Sequence, residues 1–260
     1  MFNKVDTEVI ESLKKISGSD NVFYDNENLD LYSRDYTENL SFYPEVIVKP
    51  ATAQEVSEIL ILANKNLIPV VPRGGGTGLS GGALPLYGGI CLSMEKFRKI
   101  IEIDSENCQA TAEPGVITQV FQEKCEEHGL YYPPDPSSRG SSFLGGNLAE
   151  CAGGPRAVKY GVTKDYVLAL EAVLPTGEII NTGAKVLKNV SGYNLTQLLI
   201  GSEGTLGIIT KIYFKLISLP KFRKVSLVAF NSIEDSAKTV SKIFQSGITP
   251  SALELMEKSA

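Results

Sequence analysis

Residues 72–82 read Pro-Arg-Gly-Gly-Gly-Thr-Gly-Leu-Ser-Gly-Gly, with six glycines in eleven positions. Without a Cβ, such a run can take positive φ and turn successive backbone N–H groups toward one anion. Phosphate is the anion that suits this chemistry. A flexible linker is the plain alternative, but apolar runs flank the stretch and it lacks linker composition. The stretch contains Gly76-x-Gly78-x-x-Gly81, the spacing of the dinucleotide fingerprint, with Glu95 following at a suitable distance. That fingerprint works only where the loop opens a helix whose N-terminus holds the pyrophosphate. Here Gly82-Ala83-Leu84-Pro85-Leu86-Tyr87-Gly88-Gly89 follows at once, which predicts no helix. A P-loop is excluded as well, because no lysine occurs between Lys65 and Lys96. What remains is an anion cradle of backbone N–H groups, with Arg73 close enough in sequence to add charge.

Two further segments repeat the theme. Gly145-Gly146-Asn147 and Gly153-Gly154 enclose Leu-Ala-Glu-Cys-Ala, downstream of Pro133-Pro134-Asp135-Pro136-Ser137-Ser138, and a third run spans Gly201 to Gly207. Three glycine-rich segments tied to strands suit a long ligand lying extended across a domain. Other reactive side chains are few. Cys91, Cys108, Cys125 and Cys151 show no CxxC spacing, so zinc and iron–sulfur sites have no support and buried free thiols are expected. The single histidine, His128, precludes a multi-histidine metal site within the chain. Just before Gly129 it reads as a favourable charge at a helix C-terminus.

The elements that must position these loops follow from periodicity. Val5–Ile16 and residues 52–67 read as amphipathic helices, the second opened by a Thr52/Glu55 capping box. Residues 45–49, 68–71 and 89–94 read as strands, which makes a β-α-β unit feeding the glycine loop. Residues 100–112 read as two strands about a turn. Residues 117–128 read as a helix with Ile117, Val120 and Phe121 inward. Strands are expected at 167–174, 178–181 and 206–217, the last with Ile212, Phe214 and Leu216 on one face. Val225–Phe230 reads as a strand, a helix capped by Ser232 follows, and Leu253–Met256 reads as the start of another strand. A β-α unit with little after it cannot bury its apolar face alone, so 222–260 reads as the opening of a second, truncated domain. The alternative is a small extension packed on the main domain. The net charge of −5 points to neither nucleic acid nor anionic lipid as a partner, and no apolar run reaches membrane-span length. A cytoplasmic location is the default expectation.

At this level of detail the chain resembles a known family. Its segments PRGGGTGLSGGALP (72–85), EPGV (113–116), YPPDPSS (132–138), GGNLAECAGGPRAVKYGVTKDYVLALEAVLPTGE (145–178) and GSEGTLGIIT (201–210) are similar to the FAD-binding domain of the vanillyl-alcohol oxidase and p-cresol methylhydroxylase type. Within it they look most like the glycolate oxidase D-subunit and D-lactate dehydrogenase branch. The resemblance covers residues 30–218. It implies an α+β fold: a two-part FAD-binding domain over 1–221, divided near 105–115, followed at 222–260 by the start of a truncated α+β substrate (cap) domain. It also implies roles. Pro72, Arg73, Gly74, Gly75, Gly76, Thr77 and Gly78, with Gly81 and Gly82, would hold the pyrophosphate. Pro134, Asp135, Pro136 and Ser138 would line the flavin side with Gly145, Gly146 and Asn147. Gly153, Tyr160, Gly161, Thr163 and Asp165 would continue that wall, and Glu203, Gly204, Gly207 and Ile209 would close the adenine and ribose end.

Non-covalent FAD is expected, since His128 lies outside the matching motifs. The implied reaction is oxidation of a 2-hydroxy acid, of D-lactate or glycolate type, with hydride passing to flavin N5. The base, the carboxylate clamp and any metal ligands of this branch are expected beyond residue 260, so no residue here is named as catalytic and no metal is expected. Arg139, Arg156 and Lys188 could face the flavin or an anionic substrate, or simply solvent. An electron-transferring flavoprotein or an iron–sulfur subunit would suit as partner. Two other readings stay open: a non-catalytic flavin-binding or electron-transfer subunit, and another flavoenzyme of the same fold. A nicotinamide-binding Rossmann protein conflicts with the missing helix.

Overall fold

A computed structural model describes residues 2–257. Helix α1 (Thr7–Ser17), strand β1 (Val22–Phe23) and helix α2 (Asn26–Leu31) lead into β2 (Val46–Val48), α3 (Ala53–Lys65), β3 (Val70–Arg73) and β4 (Ile90–Ser93). These strands form one sheet in the order β1-β2-β4-β3, with β2, β4 and β3 mutually parallel. Helix α3 is the crossover that parallel pairing requires. Its Thr52 cap forms, the hydroxyl accepting from the Glu55 N–H at 3.2 Å, while the Glu55 carboxylate reaches one residue past the cap and accepts from the Ala51 N–H at 3.0 Å.

The chain then enters a second, antiparallel sheet. Its strands are β5 (Ile100–Asp104), β6 (Gln109–Ala112), β8 (Val167–Val173), β9 (Ile179–Gly183) and β10 (Ile208–Lys215), in the order β5-β6-β10-β8-β9. Between β6 and β8 lie α4 (Thr118–Glu127), β7 (Leu130–Tyr131), α5 (Leu144–Ala149) and α6 (Ala157–Tyr160). Helix α7 (Leu195–Leu199) precedes β10, and β11 (Ile217–Ser218) pairs with β7. The sheets change between Ser93 and Ile100, ahead of the 105–115 stretch, because β5 pairs with β6 rather than with β4.

Burial explains the assembly. Along β10, Ile212 and Phe214 are fully buried, as the alternation predicts, and Phe214 packs its ring at 4.7 Å from Phe121 and 5.1 Å from Tyr132. Val46, Val48, Ile59, Ile90 and Leu92 form the other core, which also takes in Val173 and Ile208 of the second sheet. The two sheets therefore share packing. Helix α3 fastens the join: the Ser57 hydroxyl donates to Gly177 O at 2.5 Å, and the Asn64 amide donates to Pro175 O.

Three expectations are corrected. Val120 faces out at 49% exposure, and α4 instead buries Thr118, Phe121, Gln122 and Cys125. Val225–Phe230 is not a strand: Val225 is 97% and Leu227 87% exposed, and no strand among the described residues pairs with them. Alternation alone cannot hold a strand whose backbone groups lack a ladder partner. Leu253–Met256 is irregular for the same reason. Helix α8 (Ile233–Gln245) does form, capped by Ser232, since a helix satisfies its own backbone.

Candidate cofactor site

The glycine loop leaves the carboxyl end of β3, an edge strand of the parallel sheet, and no helix opens between residues 74 and 89. It borders a cavity of about 790 Å³. Pro72, Arg73, Gly74, Gly75, Gly76, Thr77, Gly78 and Gly82 form one wall. Ser138, Gly145, Gly146 and Asn147 form a second, and Glu203, Gly204, Gly207 and Ile209 a third. Three segments far apart in sequence thus converge on one space.

Two glycines show why. Gly76 has φ +65°, and a Cβ there would lie 2.9 Å from the Arg73 Cζ. Gly204 has φ +74°, and its Cβ would lie 2.6 Å from Pro72 Cγ. Bulk at either place would force the walls apart. Arg73 itself is 92% buried, its exposure being 8%. Its Nη2 donates to Arg34 O at 2.6 Å, and its guanidinium stacks 5.4 Å from the Tyr32 ring. Arg73, on the cavity wall, thus ties the loop to the 32–44 segment. Tyr32 is held in turn by Glu95, which also accepts from Ser93 Oγ at 2.8 Å and Lys49 Nζ at 3.1 Å. Burial pushes the Glu95 carboxyl up, but hydrogen bonds from Tyr32, Ser93 and Lys49 outweigh it and leave the group below its ordinary range. The residue at the fingerprint's acidic position is therefore a structural hub.

The remaining sequence-derived positions lie outside the cavity wall. Gly81 sits in the turn beyond Gly78, with φ +77°. Asp135, between Pro134 and Pro136, pairs with Arg139 at 2.5 Å and with Arg156 at 3.1 Å. The Arg156 pair joins the 132–138 loop to the segment carrying Gly153. The Tyr160 carbonyl accepts from Tyr166 Oη at 2.8 Å. Thr163 is buried and donates to Ala152 O at 2.7 Å, and the Asp165 carboxylate accepts from the Val162 N–H at 2.8 Å, closing the turn after Gly161. These residues shape the support behind the wall. Asn147, on the wall, is also buried, with its amide donating to Thr118 Oγ1 at 2.6 Å. Lys188 is exposed away from the cavity, whose charged lining is Arg73, Glu150 and Glu203.

Sequence reading missed Tyr36, Ser80, Met94, Ser141, Ser142 and Glu150 on the wall. Only Glu150 had a usable signal, as a charged residue between two glycine pairs. The space suits the FAD that the resemblance implies. Its volume is in the range of small-molecule sites, about 300–1,000 Å³, and backbone approaches it closely where Gly76 and Gly204 leave no room for side chains. No group of three or more His, Cys, Asp or Glu residues is arranged to hold a metal among the described residues.

Comparison with known proteins agrees. A family model described as an FAD binding domain matches residues 44–183, and one described as the C-terminal domain of FAD linked oxidases matches 219–260. The chain is 44% identical over 251 residues to glycolate oxidase subunit GlcD of Bacillus subtilis, covering 96% of this chain and 53% of that protein. It is 43% identical over 257 residues to a D-lactate dehydrogenase of Anaerostipes hadrus, covering 99% and 54%. The chain thus spans about half the length of these relatives. Among solved structures, an alkyldihydroxyacetonephosphate synthase superposes with TM-score 0.82 at 25% identity, over 96% of this chain and 48% of that one. p-Cresol methylhydroxylase superposes with TM-score 0.74 at 24% identity, over 91% and 48%, and supports the fold. Since the first model takes in 140 of the 260 residues, with two of the three segments that wall the cavity, the protein belongs to the FAD-binding-domain family and has FAD as its cofactor.

Proposed function

We propose that this protein supplies the FAD-binding part of an oxidoreductase that converts a 2-hydroxy acid, of glycolate or D-lactate type, to the 2-oxo acid. The observation that supports this most is the identity of 43–44% to a glycolate oxidase subunit and a D-lactate dehydrogenase across 96–99% of the chain. Residues 1–221 act as the FAD-binding domain and 222–260 begin the substrate (cap) domain. The exposed apolar side chains of Val225 and Leu227 and the half-open face of α8, with Val240 and Phe244, fit a segment that packs against further structure.

When bound, FAD would supply the acceptor for the hydride leaving the substrate α-carbon. The chain's own residues bind and orient. The backbone of residues 74–78 would cradle the pyrophosphate, its shape held by the Arg73 bond to Arg34 O. Ser138 and the Gly145–Asn147 segment line the flavin side, and Glu203, Gly204, Gly207 and Ile209 the adenosine side. Asp135, between Arg139 and Arg156, fixes the 132–138 loop at the flavin end. Arg156 and Arg223 flank the Tyr131 ring at 5.5 and 5.4 Å, each also paired with a carboxylate, Asp135 and Glu126 respectively. FAD is held non-covalently: His128 lies at the end of α4, its Nδ1 beside Lys124 O, and neither it nor any cysteine lines the cavity. A cytoplasmic location and an electron-transferring flavoprotein or iron–sulfur partner complete the reading. No helix among the described residues is long and apolar enough to cross a membrane.

The test is spectral. FAD-loaded full-length protein is mixed anaerobically with glycolate, D-lactate and L-lactate. Loss of the oxidised flavin band with one of these acids is expected, and a flavin that no 2-hydroxy acid reduces overturns the proposal. Acid precipitation should leave a colourless pellet; a yellow one overturns the non-covalent reading.

A further inference from the structure

We propose that Glu150 binds FAD as the neutral carboxylic acid, donating a hydrogen bond toward the diphosphate region, so that cofactor binding takes up one proton from solvent. This rests on the reading that the cavity holds FAD with its pyrophosphate on the glycine loop.

The starting point is a charge mismatch. A cavity that accepts a diphosphate is lined by one cation, Arg73, and two carboxylates, Glu150 and Glu203. The Arg73 guanidinium is already committed to the Arg34 and Ala83 carbonyls. Both carboxylates crowd one turn of the glycine loop. The Glu150 Oε1 lies 3.2 Å and the Glu203 Oε2 3.4 Å from where a Gly82 Cβ would be, and Glu150 Oε1 lies 3.9 Å from the corresponding point at Gly78. Neither forms an ion pair among the described residues.

A third carboxylate approaches from the 32–44 segment. Asp35 Oδ1 accepts from the Thr37 N–H at 2.8 Å, while its Oδ2 is buried without a partner, 4.0 Å from the Gly78 Cβ position. The groups facing Glu150 are therefore Glu203 from the 201–207 turn, Asp35 from the 32–44 segment and Ser80 from the loop. Burial first, then the Glu203 and Asp35 charges, push the Glu150 carboxyl above its ordinary range, against a lowering by Ser80. No cation acts on it in the opposite sense. An incoming diphosphate adds negative charge and drives the same equilibrium further toward the acid. The neutral acid relieves the repulsion and gains a donor that a carboxylate lacks. No bond or electron is exchanged; one proton moves from solvent to a Glu150 oxygen.

The sign of the linkage follows. Below the Glu150 pKa of the FAD-free protein the acid is already neutral and affinity is flat. Between the free and bound pKa values, affinity falls as pH rises, by up to about tenfold per pH unit.

FAD affinity is measured by flavin fluorescence from about pH 5 to about pH 8, where FAD itself does not titrate. Titration calorimetry in two buffers of different ionisation enthalpy counts the protons. Wild type should weaken with rising pH and take up to one proton. Glu150→Gln, which keeps a donor and the side-chain shape, should bind with a flatter profile, without proton uptake, and at least as tightly at the alkaline end. Glu203→Gln should still take up a proton, with its pH profile displaced to lower pH because a charge that raises the Glu150 carboxyl is gone. Three results overturn the proposal: wild type with no proton uptake; Glu150→Gln with the wild-type slope; or Glu150→Gln weaker at every pH with an unchanged melting temperature, which marks an ionised carboxylate accepting from a ribose hydroxyl. If wild type binds no FAD at any pH, the cavity reading itself fails, a different outcome from FAD binding without a proton.

Discussion

The guanidinium of Arg73 occupies the space that a side chain on Gly76 would need, with Cζ 2.9 Å from the position of a Gly76 Cβ. The arginine and the glycine are one device. The charge lies on the cavity wall and is tied to the backbone carbonyls of Arg34 and Ala83.

This relationship separates two substitutions. Gly76→Val places a β-branched residue at φ +65° and against Arg73. Backbone strain of this kind costs about 1–3 kcal/mol and deforms the cradle itself. Arg73→Ala removes a brace, worth about 1.5–3 kcal/mol for a charged hydrogen bond, and should lower the melting temperature while retaining more flavin. The flavin-to-protein ratio after purification decides. A Gly76→Val protein with full flavin shows that this loop is not the cradle.

At the other end of the cavity, Asp135 is shared between Arg139 and Arg156. Its side chain is 12% exposed, so removing Arg156 leaves a mostly buried carboxylate with Arg139 as its remaining partner. Asp135→Asn and Arg156→Ala should each destabilise the protein, but together less than additively, with a coupling of about 0.5–3 kcal/mol in a double-mutant cycle. Additive losses in chemical denaturation would show that the pair is not a working contact.

Glu95 makes a prediction on the acid side. Its carboxyl is held below the ordinary range by Tyr32, Ser93 and Lys49 despite burial. Its contribution is therefore present above the unfolded pKa and lost as pH falls through the folded one. Glu95→Gln should narrow the gap to wild type as pH is lowered, with the melting temperature as readout. A constant gap from neutral to acid pH would remove Glu95 from that role.

The thiols give the alkaline counterpart. Burial pushes Cys91 and Cys125 up to about 12, whereas Cys108 and Cys151 are partly exposed. The folded state then holds more protons than the unfolded chain between about pH 9 and pH 12, so these thiols make stability fall as pH rises through that window. In the native protein a thiol reagent should react quickly with Cys108 and Cys151 and with the other two only on unfolding. Equal rates at all four would contradict the burial.

Local order was legible where one segment satisfies itself. The Thr52 cap, α3, the alternation of Ile212 and Phe214 along β10, and the missing helix after the glycine loop all follow from neighbouring residues. Val225–Phe230 was misread because a strand needs a second strand, and alternation carries no information about whether one is there. Val120 was misplaced because helical spacing leaves a choice of inward face, and the Phe121–Phe214 contact makes it.

The amino-acid sequence by itself determined the α+β class, the three glycine segments and their match to FAD-binding domains, since glycine content and motif order are properties of the chain. Only the tertiary structure decided that Arg73, on the cavity wall, is also bonded to the Arg34 carbonyl, that Asp135, Thr163 and Asp165 support the wall from behind, and that Glu150 meets Glu203 at the loop. Where a charged side chain points depends on the carbonyls, carboxylates and backbone that distant segments bring beside it, and one-dimensional spacing does not encode that.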